Sequence, residues 1–268
     1  MSQKMQAKPG TKISLSQYDP SFCEGYSKKD PEVKTKLQED LDEMRALQEK
    51  LYAEGQRALL VVLQAMDAGG KDGTIRHVMG GLNPQGCEVS CFKVPTAEEL
   101  AHDFLWRIHR RTPARGHIGV FNRSHYEDVL VVRVHGLVPE TVWQARYEQI
   151  NAFEKLLSDS GTRILKFFLH ISKEEQKERL QARIADPEKH WKLSEADAKE
   201  RLLWDDYQRA YEDALSRCST KWAPWYIIPA DRKWYRNMVV ADIIAGALRQ
   251  MDPQWPEPKV DVSSLVIE

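Results

Sequence analysis

Cysteine is scarce in this chain of 268 residues. The four cysteines, Cys23, Cys87, Cys91 and Cys218, form no C-x-x-C pair and no paired Cys/His ligand set. A zinc site or a disulfide framework is therefore the weaker reading, and a reducing compartment, the cytoplasm, is expected. Cys87 and Cys91 are expected as small buried residues on one face of a strand. Excess charge of either sign is missing too: 39 Lys and Arg stand against 40 Asp and Glu, a formal net charge of −1. The chain as a whole is no basic coat for nucleic acid, and a polyanion site must come from local clustering. Long apolar runs are also absent. The longest, Ala58 to Met66, is too short to span a bilayer and contains Gln64. The opening MSQKMQAKPGTK has no apolar signal core, so neither a membrane anchor nor a secretion signal is expected.

What is present suits a folded α/β chain. Hydrophobic residues make up 42% and charged residues 29%, ordinary for a globular protein with a full core. Residues 1–31 are polar, hold Pro9, Gly10 and Pro20, and are expected as an extended arm. From Glu32 to Tyr52, Val33, Leu37, Leu41, Met44, Leu47 and Leu51 recur at steps of three and four, which predicts a long amphipathic helix. ALLVVLQAM is apolar on both faces, as a central parallel strand is. CEVSCFKV, HIGVF, TRILKFFLHI and PWYIIPA predict four more strands. Helical patterns fall between and after them: TAEELAHDFLWRIHRR with a capping box at Thr96 to Glu99, PETVWQARYEQINAFEKLLSDS, KEEQKERLQARIA, one long helix over SEADAKERLLWDDYQRAYEDALSRC, and DRKWYRNMVVADIIAGALRQM. The alternation predicts a doubly wound, five-stranded parallel sheet with helices on both faces. Ligands then bind beyond the C-terminal ends of the strands. The main domain is expected over 32–251, with a tail from 252 to 268 that holds three prolines.

Chemistry-bearing residues gather at two such ends. In MDAGGKDGT, Gly69, Gly70 and Gly73 let backbone N–H groups turn inward, and Lys71 supplies a mobile cation, as in a phosphate-binding P-loop. The first glycine of G-x-x-x-x-G-K-[ST] is missing, with Ala65 in its place, and the hydroxyl arrives late, at Thr74. Asp67 inside the loop reads as a metal-proximal ligand, with loop capping as the alternative. In FNRSHYED, Asn122 stands where a magnesium-holding acid is usual, and Arg123 can fork onto a transferring phosphoryl group. Glu127 and Asp128 offer the missing carboxylate or form an ordinary solvated turn. Between Phe104 and Tyr126 there is no Asp or Glu, while Arg107, Arg110, Arg111, Arg115 and Arg123 are basic, with His109, His117 and His125 among them. That run suits an extended polyanion. In RIADPEKHWKLSEAD, two helices flank a turn, as in a kinase lid over about 183–210. Arg183 there is placed to swing toward phosphates, and Trp191 either packs the hairpin or approaches a base, packing being preferred.

MDAGGKDGT, FNRSHYED, DPEKHWKLSEAD and APWYIIPADRKW together resemble the polyphosphate kinase 2 family, over about Glu32 to Met251. The resemblance implies a thymidylate-kinase-like P-loop fold and magnesium-dependent phosphoryl transfer between inorganic polyphosphate and nucleotides, AMP, ADP and ATP, with manganese a substitute metal and guanine nucleotides further acceptors. It implies a catalytic set of Asp67, Lys71, Arg123 and Arg183. Ala68, Gly69, Gly70, Asp72, Gly73, Thr74, Asn122 and Glu127 would surround phosphates or nucleotide. Arg76, Lys93, Arg110, Arg111, Arg115 and Arg133 would line the polyphosphate path. Magnesium would rest on Asp67 and Glu127. Many members have aspartate where this chain has Asn122 and asparagine where it has Glu127, and the FNRSHYED form is similar to the subgroup that accepts both AMP and ADP. A homodimer or homotetramer is expected. Two rival readings are an ATP-dependent nucleoside monophosphate kinase and a non-catalytic P-loop protein that binds nucleic acid or polyphosphate.

Overall fold

The computed structural model describes residues 2–265 and 267, and the side chains of all of these except 2, 195–197 and 264. The acidic end of DPEKHWKLSEAD, at 195–197, thus lies outside the described side chains. Five strands form one parallel sheet: β1 (Ala58–Ala65), β2 (Cys87–Cys91), β3 (Ile118–Asn122), β4 (Thr162–His170) and β5 (Trp225–Pro229), in the order β2-β3-β1-β4-β5. All eight residues of β1 are buried, as a strand with apolar side chains on both faces requires. Val61 pairs with Val120 of β3 on one side and Leu165 of β4 on the other.

The main helices are α1 (Pro31–Glu54), α2 (Lys71–Thr74, continued by a π-turn over Ile75–Met79), α3 (Glu140–Asp159), α4 (Lys173–Ile184), α5 (Glu195–Leu202), α6 (Trp204–Cys218) and α7 (Lys233–Met251). From β1 the chain moves one way, over β3 to β2; from β3 it moves the other way, over β1 to β4. Right-handed crossovers then put α2 and α3 on opposite faces. On one face, α1 is tied to α7 by Lys36 to Asp242 (2.6 Å). On the other, α3 meets α6, where Asn151 Nδ2 donates to Arg217 O (3.0 Å). α7 is buried almost all round, because α1 covers the side that the sheet does not. The reversal of direction falls between β1 and β3, so the loops leaving those two strands part and open a crevice between them.

The segment ahead of α1 runs along β5. Ala7 N–H donates to Trp225 O (2.9 Å), Gln6 bridges antiparallel to Tyr226, and Met5, Ala7, Ile13 and Leu15 are buried. Part of the β5 edge is thereby covered.

Two sequence expectations change. The single helix over SEADAKERLLWDDYQRAYEDALSRC is broken at Leu203. Leu202 is 83% exposed and Trp204 only 8%, so the break turns the chain to bring the apolar stripe of α6 onto the core. Cys87 and Cys91 are not both buried: β2 is an edge strand, Cys87 is half-buried, and Cys91 is exposed at the crevice.

Candidate active site

The loop after β1 is a tight turn held from behind. Gly69 N–H donates to Met66 O (2.9 Å), and Thr74 N–H donates to Gly70 O (2.9 Å) to open α2. Ala68 has φ +59° and Gly70 φ +101°. An alanine in the left-handed region needs support. It comes from α4: Gln176 Nε2 donates to Asp67 O (3.0 Å) and Arg179 Nη1 to Ala68 O (3.0 Å). The φ of Gly70 favours glycine, and a β-carbon there would lie 1.9 Å from Arg236 Nη1 and displace that guanidinium.

The loop after β3 is held as firmly. Arg123 has φ +63°, and its N–H donates to Leu63 O (3.1 Å). Ser124 Oγ accepts from Gln64 Nε2 (3.1 Å) and from Tyr126 N–H (3.2 Å). Beneath, a fully buried network fixes the next two residues. Lys166 Nζ donates to Glu154 Oε2 (2.6 Å), Tyr126 OH (2.7 Å) and Cys218 O (2.7 Å), while Tyr126 OH donates to Glu154 Oε1 (2.9 Å) and His125 Nε2 lies 3.1 Å from that oxygen. Burial opposes the Glu154 charge, but Lys166 and then His125 prevail and hold the carboxyl below its usual range. Burial lowers His125, which is a core residue and not part of a basic surface.

Charges from the two loops meet across the crevice. Arg123 Nη2 donates to Asp67 Oδ1 (2.9 Å) and its Nη1 to Glu127 Oε2 (3.1 Å). Burial works against the guanidinium, and the Glu127 and Asp67 carboxylates more than offset it, raising its pKa. Asn122 Nδ2 donates to Asp72 Oδ1 (2.9 Å), and Lys192 from the 183–210 segment reaches Asp72 Oδ2 at 3.3 Å. Lys71 Nζ donates to Ala65 O (3.1 Å). Burial, then the Arg123 charge, push the Lys71 pKa down to about 8, with only partial opposition from Asp67, Glu127 and Asp72.

Asp67, Lys71, Asp72, Asn122, Arg123 and Lys192 line an open cleft of about 590 Å³. Five cations, Lys71, Lys93, Arg123, Arg183 and Lys192, face two carboxylates, Asp67 and Asp72. Ala68, Gly69, Gly70, Gly73 and Asn122 form much of the remaining wall. Other expected site residues lie elsewhere. Thr74 is buried and turns its hydroxyl back to Gly70 O (3.1 Å) instead of toward a ligand. Glu127 faces a narrow pocket behind Arg123, beside Glu200, Tyr207 and Tyr211. Asp128 does not restore the missing carboxylate; it is buried and paired to Arg146 (3.1 Å), with burial pushing its pKa up to about 6.

The basic run is also divided by the fold. Arg115 precedes β3 and so stands at the opposite, N-terminal end of the strands, about 16 Å away along a five-residue strand. Arg111 pairs with Glu88 near the start of β2 (3.7 Å), and Arg110 lies over the Trp106 ring (4.6 Å). Arg107 is buried, donating to Lys93 O (2.8 Å). Arg133 is paired to Asp213 (2.6 Å) over the Trp143 ring, and Arg76 is exposed on α2 outside the cleft wall. Trp191 does not pack the hairpin: it is 78% exposed at the cleft, with Lys192 over its ring (4.8 Å).

A family model described as polyphosphate kinase 2 matches residues 26–256. The chain belongs to the polyphosphate kinase 2 family. It is 52% identical over 268 residues to a Meiothermus ruber protein named AMP/ADP-polyphosphate phosphotransferase, covering 99% of each chain. It is 46% identical over 260 residues to an ADP-polyphosphate phosphotransferase of Rhodopseudomonas palustris, covering 92% of this chain and 90% of the relative. The crystal structure of a polyphosphate kinase 2 from Arthrobacter aurescens superposes with a TM-score of 0.91 at 45% identity, over 97% of this chain and 95% of that one. The fold is that of P-loop kinases, with the sheet order and glycine loop described above.

Gln176, Arg179, Lys192 and Arg236, which hold or adjoin the β1 loop and the cleft, are residues that sequence reasoning left without a role. Lys192 was within reach, since it adjoins Trp191 in the lid motif. The other three act on the loop from distant helices, and no local pattern marks them. For a metal, no three His, Cys, Asp or Glu side chains gather among the described residues. Magnesium does not need such a cage: it keeps several waters and takes one or two carboxylates together with substrate phosphates. Asp67, 31% exposed and open to the cleft, fits that demand. Glu127, 14% exposed and facing the inner pocket, fits it less well.

Proposed function

We propose that this chain is a polyphosphate-dependent kinase that moves phosphoryl groups between inorganic polyphosphate and AMP or ADP. The observation that carries the reading is the cleft: five cations against two carboxylates, on a chain whose net charge is −1. A single nucleotide phosphate would be over-served by that excess, whereas a long polyanion matches it.

The chemistry follows from the placement of charge. Phosphoryl transfer leaves little covalent work for a protein, so rate comes from positioning and from stabilising charge on the equatorial oxygens. The β1 loop would seat one phosphate on its inward N–H groups, with Lys71 on its oxygens. Arg123, already oriented by Asp67 and Glu127, would meet the moving group from the β3 side. Arg183 and Lys192 would close over the chain from the lid, Lys192 exchanging Asp72 for phosphate. Asp67 would hold magnesium together with phosphate oxygens and water, and the ion would neutralise charge between adjoining phosphates. Lys93, beyond β2, would extend the polyphosphate path out of the cleft. Ala68 and Arg123, two of the four non-glycine residues with left-handed φ among the described residues, would sit where the ligand is gripped, and the hydrogen bonds behind them keep that geometry fixed before binding.

The donor decides between this reading and an ATP-dependent nucleoside monophosphate kinase. Purified protein is given AMP, polyphosphate and magnesium, with no ATP, and products are separated by ion-exchange chromatography. ADP followed by ATP is expected. Formation of ADP only when ATP is supplied would overturn the proposal, and binding of polyphosphate without any nucleotide product would leave a non-catalytic sensor.

A further inference from the structure

Behind the phosphate loop stands an arginine with no carboxylate partner among the described residues. Arg236, in the first turn of α7, is 2% exposed. Its Nε and Nη2 both donate to the neutral amide oxygen of Asn237, at 3.1 and 2.8 Å. Among the described residues the charged groups that interact with it are cations, Arg179 and Lys233. Arg179 is compensated: it pairs with Glu175 (2.7 Å) and donates to the carbonyls of Ala68 and Ala230. Arg236 has no such partner among the described residues, and burial followed by Arg179 pushes its pKa down to about 10.

Its guanidinium lies close beneath two glycines of the loop. A β-carbon on Gly70 would lie 1.9 Å from Arg236 Nη1, and one on Gly73 would lie 3.3 Å from Nη2. The same glycines line the cleft. One thickness of backbone therefore separates a buried cation from the place where the ligand sits. An uncompensated buried guanidinium opposes folding. An anion seated in the loop would relieve that cost.

We propose that Arg236 is a positioning residue, a fixed counter-charge that acts through the Gly70–Gly73 backbone on the phosphate group held by the β1 loop. The inference rests on reading that loop as a phosphate site. Arg236 does not line the cleft, so it holds no ligand atom; it sets the potential inside the loop. Because its field passes through protein, salt screens it far less than the field of a surface cation.

The test compares wild type, Arg236→Met and Lys192→Met, with tripolyphosphate and magnesium as the probe. Melting temperature is read without the probe, and affinity by calorimetry at two salt concentrations, about 50 and about 300 mM. Free Arg236→Met is expected to melt at or above the wild type, while its tripolyphosphate affinity falls about tenfold at both salt levels. The loss in Lys192→Met, whose ammonium reaches solvent, is expected to shrink as salt rises. Arg236→Lys keeps the charge and is expected to bind more tightly than Arg236→Met. A variant Arg236→Met that melts lower yet binds within about twofold of wild type makes the residue an ordinary structural arginine and overturns the proposal. So does a loss that fades with salt as that of Lys192→Met does, or an equal loss in Arg236→Lys. Failure of the wild type itself to bind tripolyphosphate would instead remove the phosphate reading of the loop, and this inference with it.

Discussion

Lys71 makes the site sensitive to pH in a direction that follows from its surroundings. Its pKa stands at about 8 because burial and the neighbouring Arg123 disfavour the ammonium. About nine-tenths of the side chain is then charged at pH 7, about half at pH 8, and about one-tenth at pH 9. A phosphate in the loop restores the charge, so the bound state holds the extra proton and rising pH opposes binding. Affinity is flat well below pH 8 and falls about tenfold between pH 7 and pH 9. Calorimetry in buffers of different ionisation enthalpy measures the proton directly, and uptake of about half a proton is expected at pH 8. Lys71→Arg stays charged throughout, so the difference between the two proteins cancels the titration of the polyphosphate itself. Equal pH slopes in wild type and Lys71→Arg would show that Lys71 does not take up the proton on binding.

Two substitutions probe the scaffold. Gly70→Ala places a side chain at φ +101° and 1.9 Å from Arg236, and a loss of about 1–3 kcal/mol is expected from the backbone alone, read as a lower melting temperature; an unchanged melt would show that the loop is not confined as described. Glu154→Gln leaves Lys166 buried without its counter-charge and is expected to cost about 3–5 kcal/mol in urea unfolding, and a loss below about 1 kcal/mol would mean that the network is not the anchor of the β3 loop.

Local pattern carried most of the fold. ALLVVLQAM had to be a strand buried on both faces, and the alternation that follows it leaves one sensible sheet. The helix break at Leu203 was not legible, since helical spacing continues through it and only the pull of the core on Trp204 and its stripe reveals the turn. Lys166 gave a signal that went unused: a lysine inside TRILKFFLHI requires a buried partner, which Glu154 supplies. In the site, Asp67, Lys71 and Arg123 were legible because glycine spacing and strand ends locate them. The basic run was read along the chain, and the fold divides it: Arg115 lies at the far end of the strands, and Arg133 is paired with Asp213. Arg236 was invisible, since its meaning lies in its distance from Gly70 and not in its neighbours in sequence.

The most direct test of the central claim, that the moving phosphoryl group lies between Lys71 and Arg123, is the turnover of Arg123→Ala with AMP and saturating polyphosphate and magnesium. A fall in kcat of about 10³-fold or more is expected, because the guanidinium meets charge that develops in the transition state. A kcat within a few-fold of wild type, in a variant that still binds polyphosphate, would contradict it.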